Sequence, residues 1–201
     1  MNKMDLVEVF KDTLLQSTEH YVGTSTKIKY DEKFDFNIAH APTKFGEVSV
    51  LNIDSVSCLE RYYVEHSEED NRIAILNMAN PNHPGGGAIY GAKAQEECLF
   101  RCSNLAFTLT QNLYPIENDE LIYTKEAVFF KNFYYEDMGT LECDVITIAA
   151  PYVKNKDITS DLEYIKLLQH KMNIMFDIAI QNNVDHLILG AWGCGAFGND
   201  P

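Results

Sequence analysis

Apolar positions near the start of the chain, Leu6, Val9, Phe10 and Leu14 with Thr13 among them, recur at helical spacing, so the first twenty residues predict an amphipathic helix. The stretch that follows, to about residue 47, is polar and aromatic and predicts no particular element. A different rhythm then sets in. A short apolar run at 48–53, helical spacing over 55–66 and a second apolar run at 73–78 predict a β-α-β unit. Leu99, Cys102, Leu105, Ala106 and Leu109 form one face of a helix predicted over 94–112. Residues 121–123 and 128–130 predict two short strands, and the nearly all-apolar run 145–149, closed by Pro151, predicts a buried one. A long helix over 161–182 and an apolar strand over 186–192 complete the pattern. Strands alternating with helices imply an α/β protein, a three-layer α/β/α sandwich with a largely parallel or mixed central sheet. Ligands in such sheets sit beyond the carboxyl ends of the strands.

Two glycine-rich loops follow predicted strands and are expected to line one crevice. Gly85, Gly86 and Gly87 cost roughly 0.5 to 1 kcal/mol each relative to Ala in a packed element, so something must approach that backbone closely. They stand seven residues before Gln95-Glu96-Glu97, at the predicted start of a helix where N–H groups and a positive dipole end gather. Alone, the acids are an ordinary solvated helix start. Beside the glycines they read as an acid site next to a phosphate site. Successive helix residues are rotated by about 100°, so Glu96 and Glu97 are expected to differ in role. An adjacent pair does not flank a glycosidic bond as two separated carboxylates do, which leaves one acid to carry the proton transfer. Asn77, Asn80 and Asn82 supply neutral donors and acceptors suited to a sugar, Asn80 having turn chemistry as its plainer role.

The second loop, Gly193-Cys194-Gly195-Ala196-Phe197-Gly198, matches GxGxxG but lacks the β-α-β context and downstream acid of a dinucleotide fingerprint. What it retains is the capacity to present converging N–H groups to a diphosphate, against the simpler reading of a tight turn. Phe197 is a candidate to pack on a ribose face or else a core side chain, and Trp192 reads as core or unassigned surface. Glu68, Glu69 and Asp70 read as a solvated loop.

Composition narrows the field. A chain of 201 residues with 46% apolar residues and no compositional break predicts a single domain. A formal charge of −14 disfavours nonspecific nucleic-acid binding and membrane-surface binding. No run of about 18 apolar residues and no secretion signal at the start lead to the expectation of a soluble, intracellular, cytoplasmic protein. Five cysteines (Cys58, Cys98, Cys102, Cys143, Cys194), an odd number without CxxC spacing, fit reduced thiols. Cys98 and Cys102 share a helix face, yet two thiols make no tetrahedral zinc site, and the histidines show no metal motif, so no metal is expected. Asn199-Asp200-Pro201 reads as the start of a further helix, so the domain is expected to be C-terminally truncated.

Taken together, Gly85-Gly86-Gly87, the short spacer and Gln95-Glu96-Glu97 resemble the microbial-type poly(ADP-ribose) glycohydrolase family, a branch of the macrodomain fold. Leu76-Asn77-Met78-Ala79-Asn80 before the glycines, Leu99, Arg101 and Ser103 after the acids, and the late loop from Leu189 onward extend the resemblance over nearly the whole chain. It implies a single macrodomain-like catalytic domain over 1–201, with 1–47 as a helical and irregular extension packed on it. It also implies exo-acting hydrolysis of ribose-ribose bonds in poly(ADP-ribose), releasing ADP-ribose without cofactor. Glu97 would be the general acid/base, Glu96 would position a ribose hydroxyl and Asn80 would hold the terminal ribose. Gln95 and the two glycine-rich loops would bind substrate, with Phe197 against the terminal ribose. Partners would be ADP-ribose, its polymer and ADP-ribosylated proteins. A non-catalytic ADP-ribose reader and a mono(ADP-ribosyl) hydrolase are the alternatives.

Overall fold

The computed structural model describes residues 1–20, 22–30, 46–66, 70–153 and 162–200. Its elements are α1 (Lys3–Ser17), β1 (Thr24–Lys29), α2 (Ser55–Glu65), β2 (Ile73–Met78), α3 (Gln95–Cys102), α4 (Leu105–Thr108), β3 (Glu120–Lys131), β4 (Asp137–Ile148), α5 (Leu162–Gln181) and β5 (His186–Ile188). Local chemistry explains several boundaries. The Asn2 side chain accepts from Met4 and Asp5 N–H while Asp5 reaches back to Asn2 N–H, a capping box that starts α1. Asp54 caps α2 in the same manner through Val56 and Ser57 N–H.

The sheet has the order β1-β3-β4-β2-β5, with β2 parallel to both β4 and β5 and the β1–β3 and β3–β4 pairs antiparallel. The expected mixed sheet is therefore present. Side chains alternate along β2: Ile73 and Ile75 join a core with Phe10, Val56, Leu59 and Leu99, whereas Ala74 and Leu76 join another with Ile174, Met175 and Ile178. Helices α1, α2 and α3 thus cover one face and α5 the other, giving the three layers.

Several expectations change. Residues 48–53 form no strand, and Val48 and Val50 remain 88% and 94% exposed. No neighbouring strand pairs with this run among the described residues; a cavity of about 530 Å3 lies between it and β5. Thr24–Lys29, to which the sequence assigned no element, is an edge strand registered on β3. The helix expected over 94–112 ends at Cys102, because Ser103 is extended and bridges Phe129, while Asn104 N–H donates to Val128 O and Val128 N–H to Asn104 Oδ1. The two short strands at 121–130 are one strand, interrupted by a register shift at Glu126, whose φ is 55°. Only His186–Ile188 of the last apolar run pairs in the sheet. Asp161, Glu68 and Glu69 lie outside the described residues, and Asp70 is exposed. All five cysteines are free thiols. Among the described residues no helix is long and apolar enough to cross a membrane, and no group of three or more His, Cys, Asp or Glu could hold a metal ion.

Candidate active site

The three parallel strands β4, β2 and β5 end on the same side of the sheet, and the chain beyond each forms one wall of a second cavity of about 530 Å3. Met78 ends β2 and Ala79 and Asn80 follow it, Ala150 follows β4, and Ala191 to Phe197 follow β5, with Ala94 and the first turn of α3 to Glu97 closing the cavity. Both candidate acids and most of the second loop therefore meet in one place.

The two acids are buried, Glu96 at 3% and Glu97 at 7% exposure, and they are held differently. Glu96 accepts from Asn80 N–H at 2.7 Å, Gly85 N–H at 3.2 Å and Asn77 Nδ2 at 3.5 Å. Burial pushes its carboxyl up to about 8, with the neighbouring Glu97 carboxyl adding to that, against the pull of the Asn80, Asn77 and Gly85 donors. Glu97 accepts from Gly87 N–H at 2.9 Å through Oε1, while its Oε2 is buried without a protein hydrogen-bond partner.

The triple glycine is occupied by these same acids rather than by the crevice. Gly85 and Gly86 have φ of +70° and +50°, a region costly for other residues. A Cβ on Gly85 would stand 2.5 Å from the Phe100 ring and one on Gly86 would stand 2.7 Å from Glu97 Oε1. The close approach expected from the sequence is real, but the visitor is α3. Gly85, Gly86 and Gly87 do not line the cavity, and the N–H groups of Gly85 and Gly87 are engaged by carboxylates, so this loop does not present them to a diphosphate. Gln95 lines the cavity, but its amide straps α3 to β2, accepting from Met78 N–H at 2.9 Å and donating to Leu76 O at 2.7 Å. Asn80 also lines it; its Oδ1 accepts from Asn82 and His83 N–H, the turn chemistry weighed for it, while its own N–H holds Glu96.

The second loop is closed on itself. Asn199 N–H donates to Gly193 O, and Asn199 Nδ2 donates to both Gly193 O at 3.0 Å and Pro151 O at 2.9 Å. Gly193 has a φ of 80°, and a Cβ there would stand 2.5 Å from Asn199 Nδ2. Among the described residues, the N–H groups of Gly195, Ala196 and Phe197 have no backbone acceptor, which leaves donors in the cavity wall. Gly193, Cys194, Gly195, Ala196 and Phe197 line the cavity; Gly198 does not and serves the turn, its N–H donating to Gly195 O. Phe197 is half-buried outside both cores, edge-on to Tyr152 at 5.8 Å. Trp192 packs partly on the core below α5 and also lines the cavity, its Nε1 donating to Ile148 O.

Sequence reasoning missed Asn199 as the clasp of this loop and Tyr114, whose buried hydroxyl has no protein partner and feels the charge of Glu96. An amide directly after a glycine loop was a usable signal for Asn199; none marked Tyr114.

An α/β sheet, a fixed carboxylate pair and a donor-bearing loop thus meet at one crevice beyond the carboxyl ends of the parallel strands, the place and the groups of an α/β ligand-binding domain with an acid at its site. The chain belongs to the microbial-type PARG catalytic-domain family, whose family model matches residues 3–133. No curated protein matches the sequence. Among solved structures it is similar to the poly(ADP-ribose) glycohydrolase of Deinococcus radiodurans in complex with ADP-ribose, at 26% identity and a TM-score of 0.71, covering 88% of this chain and 76% of that one. The poly(ADP-ribose) glycohydrolase of Thermomonospora curvata bound to the inhibitor ADP-HPD shares the fold, at 24% identity and a TM-score of 0.76, covering 99% of this chain and 80% of that one.

The raised Glu96 carboxyl has a thermodynamic consequence. The unfolded chain releases this proton near the ordinary carboxylate value of 4.5 and the folded chain near 8, so the unfolded state binds fewer protons between the two. Stability from this group is intact below the lower value, falls as pH rises through the window, and does not change further above it. Thermal unfolding followed between about pH 5 and about 8 should show a falling midpoint, and Glu96→Gln should flatten that fall. Parallel curves for the two proteins would show that Glu96 is already ionised at the bottom of the window.

Proposed function

We propose that this domain hydrolyses the ribose-ribose O-glycosidic bonds of poly(ADP-ribose), releasing ADP-ribose from the polymer end, with Glu97 as general acid and then general base. The observation that carries the reading is the Glu97 carboxyl itself: one oxygen is fixed by Gly87 N–H, the other is buried without a protein partner, and Glu97 is one of the residues that line the cavity. A proton on Oε2 passes to the leaving ribose oxygen as the C1–O bond breaks and an oxocarbenium-like centre forms. Water then adds to C1 and returns its proton to the Glu97 carboxylate.

Supporting roles follow from the contacts. Glu96 ties the chain on either side of the turn at 80–85 to α3 and stands beside Glu97 to position a ribose hydroxyl. Asn80 faces the terminal ribose, and Gln95 holds the acid-bearing helix to β2 rather than binding the sugar directly. The N–H groups of Gly195, Ala196 and Phe197 meet the diphosphate, and the Phe197 ring packs on the terminal ribose. ADP-ribosylated proteins that carry the polymer are the macromolecular substrates, and 1–201 works as one catalytic domain.

Incubation with polymer of defined length, followed by chromatography of the products, tests the reading. ADP-ribose as the sole early product is the expected result. Short oligomers would show internal cleavage. Binding of ADP-ribose without release from polymer would make the domain a reader, and release only from mono-modified protein would make it a mono(ADP-ribosyl) hydrolase.

A further inference from the structure

Arg101 is 0% exposed, and among the described residues no carboxylate pairs with it. A buried guanidinium is costly unless its donors are satisfied. Here each of its three nitrogens donates to a main-chain carbonyl, and the three carbonyls belong to separate segments. Nε donates to Leu6 O of α1 at 3.1 Å, one Nη donates to Glu97 O at 3.3 Å, and the other donates to Ala88 O at 3.1 Å. The Tyr135 ring lies 5.9 Å from its carbon, and Thr13 of α1 donates through Oγ1 to Arg101 O at 2.6 Å.

The placement is specific. Gly87 N–H holds Glu97 Oε1, and Arg101 grips the residue after Gly87 together with the main chain of Glu97. It therefore fixes both partners of the hydrogen bond that aims the acid. On α3, Glu96 and Glu97 engage Gly85 and Gly87, and one turn later Phe100 packs against Gly85 and Arg101 bonds Ala88. The third donor joins this unit to α1.

We propose that Arg101 is a positioning residue for the glycohydrolase reaction, locking the Glu97 carboxyl in its aim by clamping α3, the 85–88 loop and α1 through three carbonyls. The inference rests on the polymer-cleaving role assigned to Glu97. A lysine offers its donors at one point and cannot reach three carbonyls in a fork. A methionine offers none.

The test compares wild type, Arg101→Lys and Arg101→Met for polymer turnover and for ADP-ribose affinity by calorimetry. The expected result is a fall in kcat of about 10²-fold for Arg101→Met, as for a small misplacement of a catalytic group, with a smaller fall for Arg101→Lys. KM and ADP-ribose affinity should stay within about threefold, since the loop that meets the diphosphate is left intact. In a Glu97→Gln background Arg101→Met should add less than about a twofold further loss, because the two act through one group. Unchanged kcat in both Arg101 variants overturns the proposal. So does loss of ADP-ribose binding in step with turnover, including through failure to fold, which would make Arg101 a residue that only holds the fold. An inactive wild-type protein would instead reject the glycohydrolase reading itself.

Discussion

Glu97→Gln should lower release of ADP-ribose from polymer by about 10²- to 10⁴-fold, the range that removal of a general acid/base produces. Glutamine keeps an oxygen to accept from Gly87 N–H, so the side chain stays in its socket. It replaces the unpartnered Oε2 with an amide that neither delivers a proton to a leaving oxygen nor takes one from water. The proposed diphosphate contacts lie on the opposite wall, so ADP-ribose affinity measured by calorimetry should change by less than about tenfold. Turnover equal to wild type would remove Glu97 from the chemistry. A parallel collapse of affinity would mean that the carboxylate holds the ligand rather than working on it.

The second large effect is expected at Gly86→Ala. Its φ of +50° alone costs an alanine roughly 1 kcal/mol. The greater penalty is geometric: the added Cβ would stand 2.7 Å from Glu97 Oε1 and 3.2 Å from Glu96 Oε2, so either the loop or the acid must move. A displacement of about 1 Å at the reacting carboxyl is enough for a loss of about 10²-fold in kcat. Gly139→Ala is the control, since a Cβ there meets nothing within 4 Å, and it should leave turnover and melting temperature at wild-type values. Full activity in Gly86→Ala would show that the loop yields without disturbing the acid.

Legibility of the fold followed the local signal. β2 and α2 were readable because an apolar run and a capped amphipathic turn are local statements. The first half of β4 was not, because its side chains up to Glu142 are exposed or half-exposed and carry no apolar signature, and pairing with β3 is what makes it a strand. Edge strand β1 was hidden for the same reason, its sequence TSTKIK being polar and only partly buried. Residues 48–53 failed in the opposite sense: β-like composition without a strand to bond among the described residues. The end of α3 was invisible because no glycine or proline marks it; it is imposed by Ser103 and Asn104 pairing with β3, far along the chain.

At the site, the pairing of glycines with acids was legible as a motif, and so was the different treatment of two acids 100° apart. The identity of the loop's occupant was not. It depends on α3 folding back so that side chains 10 and 11 positions downstream enter the backbone of the glycines. Arg101 entered the sequence reading only within a motif, since a lone arginine in a helix gives no sign of being fully buried.

The socket formed by Gly85 and Gly87 is filled before any substrate arrives, by the two acid side chains that lie at one end of the crevice. The amide donors of Gly195, Ala196 and Phe197 sit in the wall contributed by the other loop. An anionic diphosphate would find its free N–H donors at the second end, those of Gly85 and Gly87 being already taken. On the reading proposed above, the crevice therefore has a direction: amide donors at one end and acids at the other would present such a molecule sugar-first to Glu97.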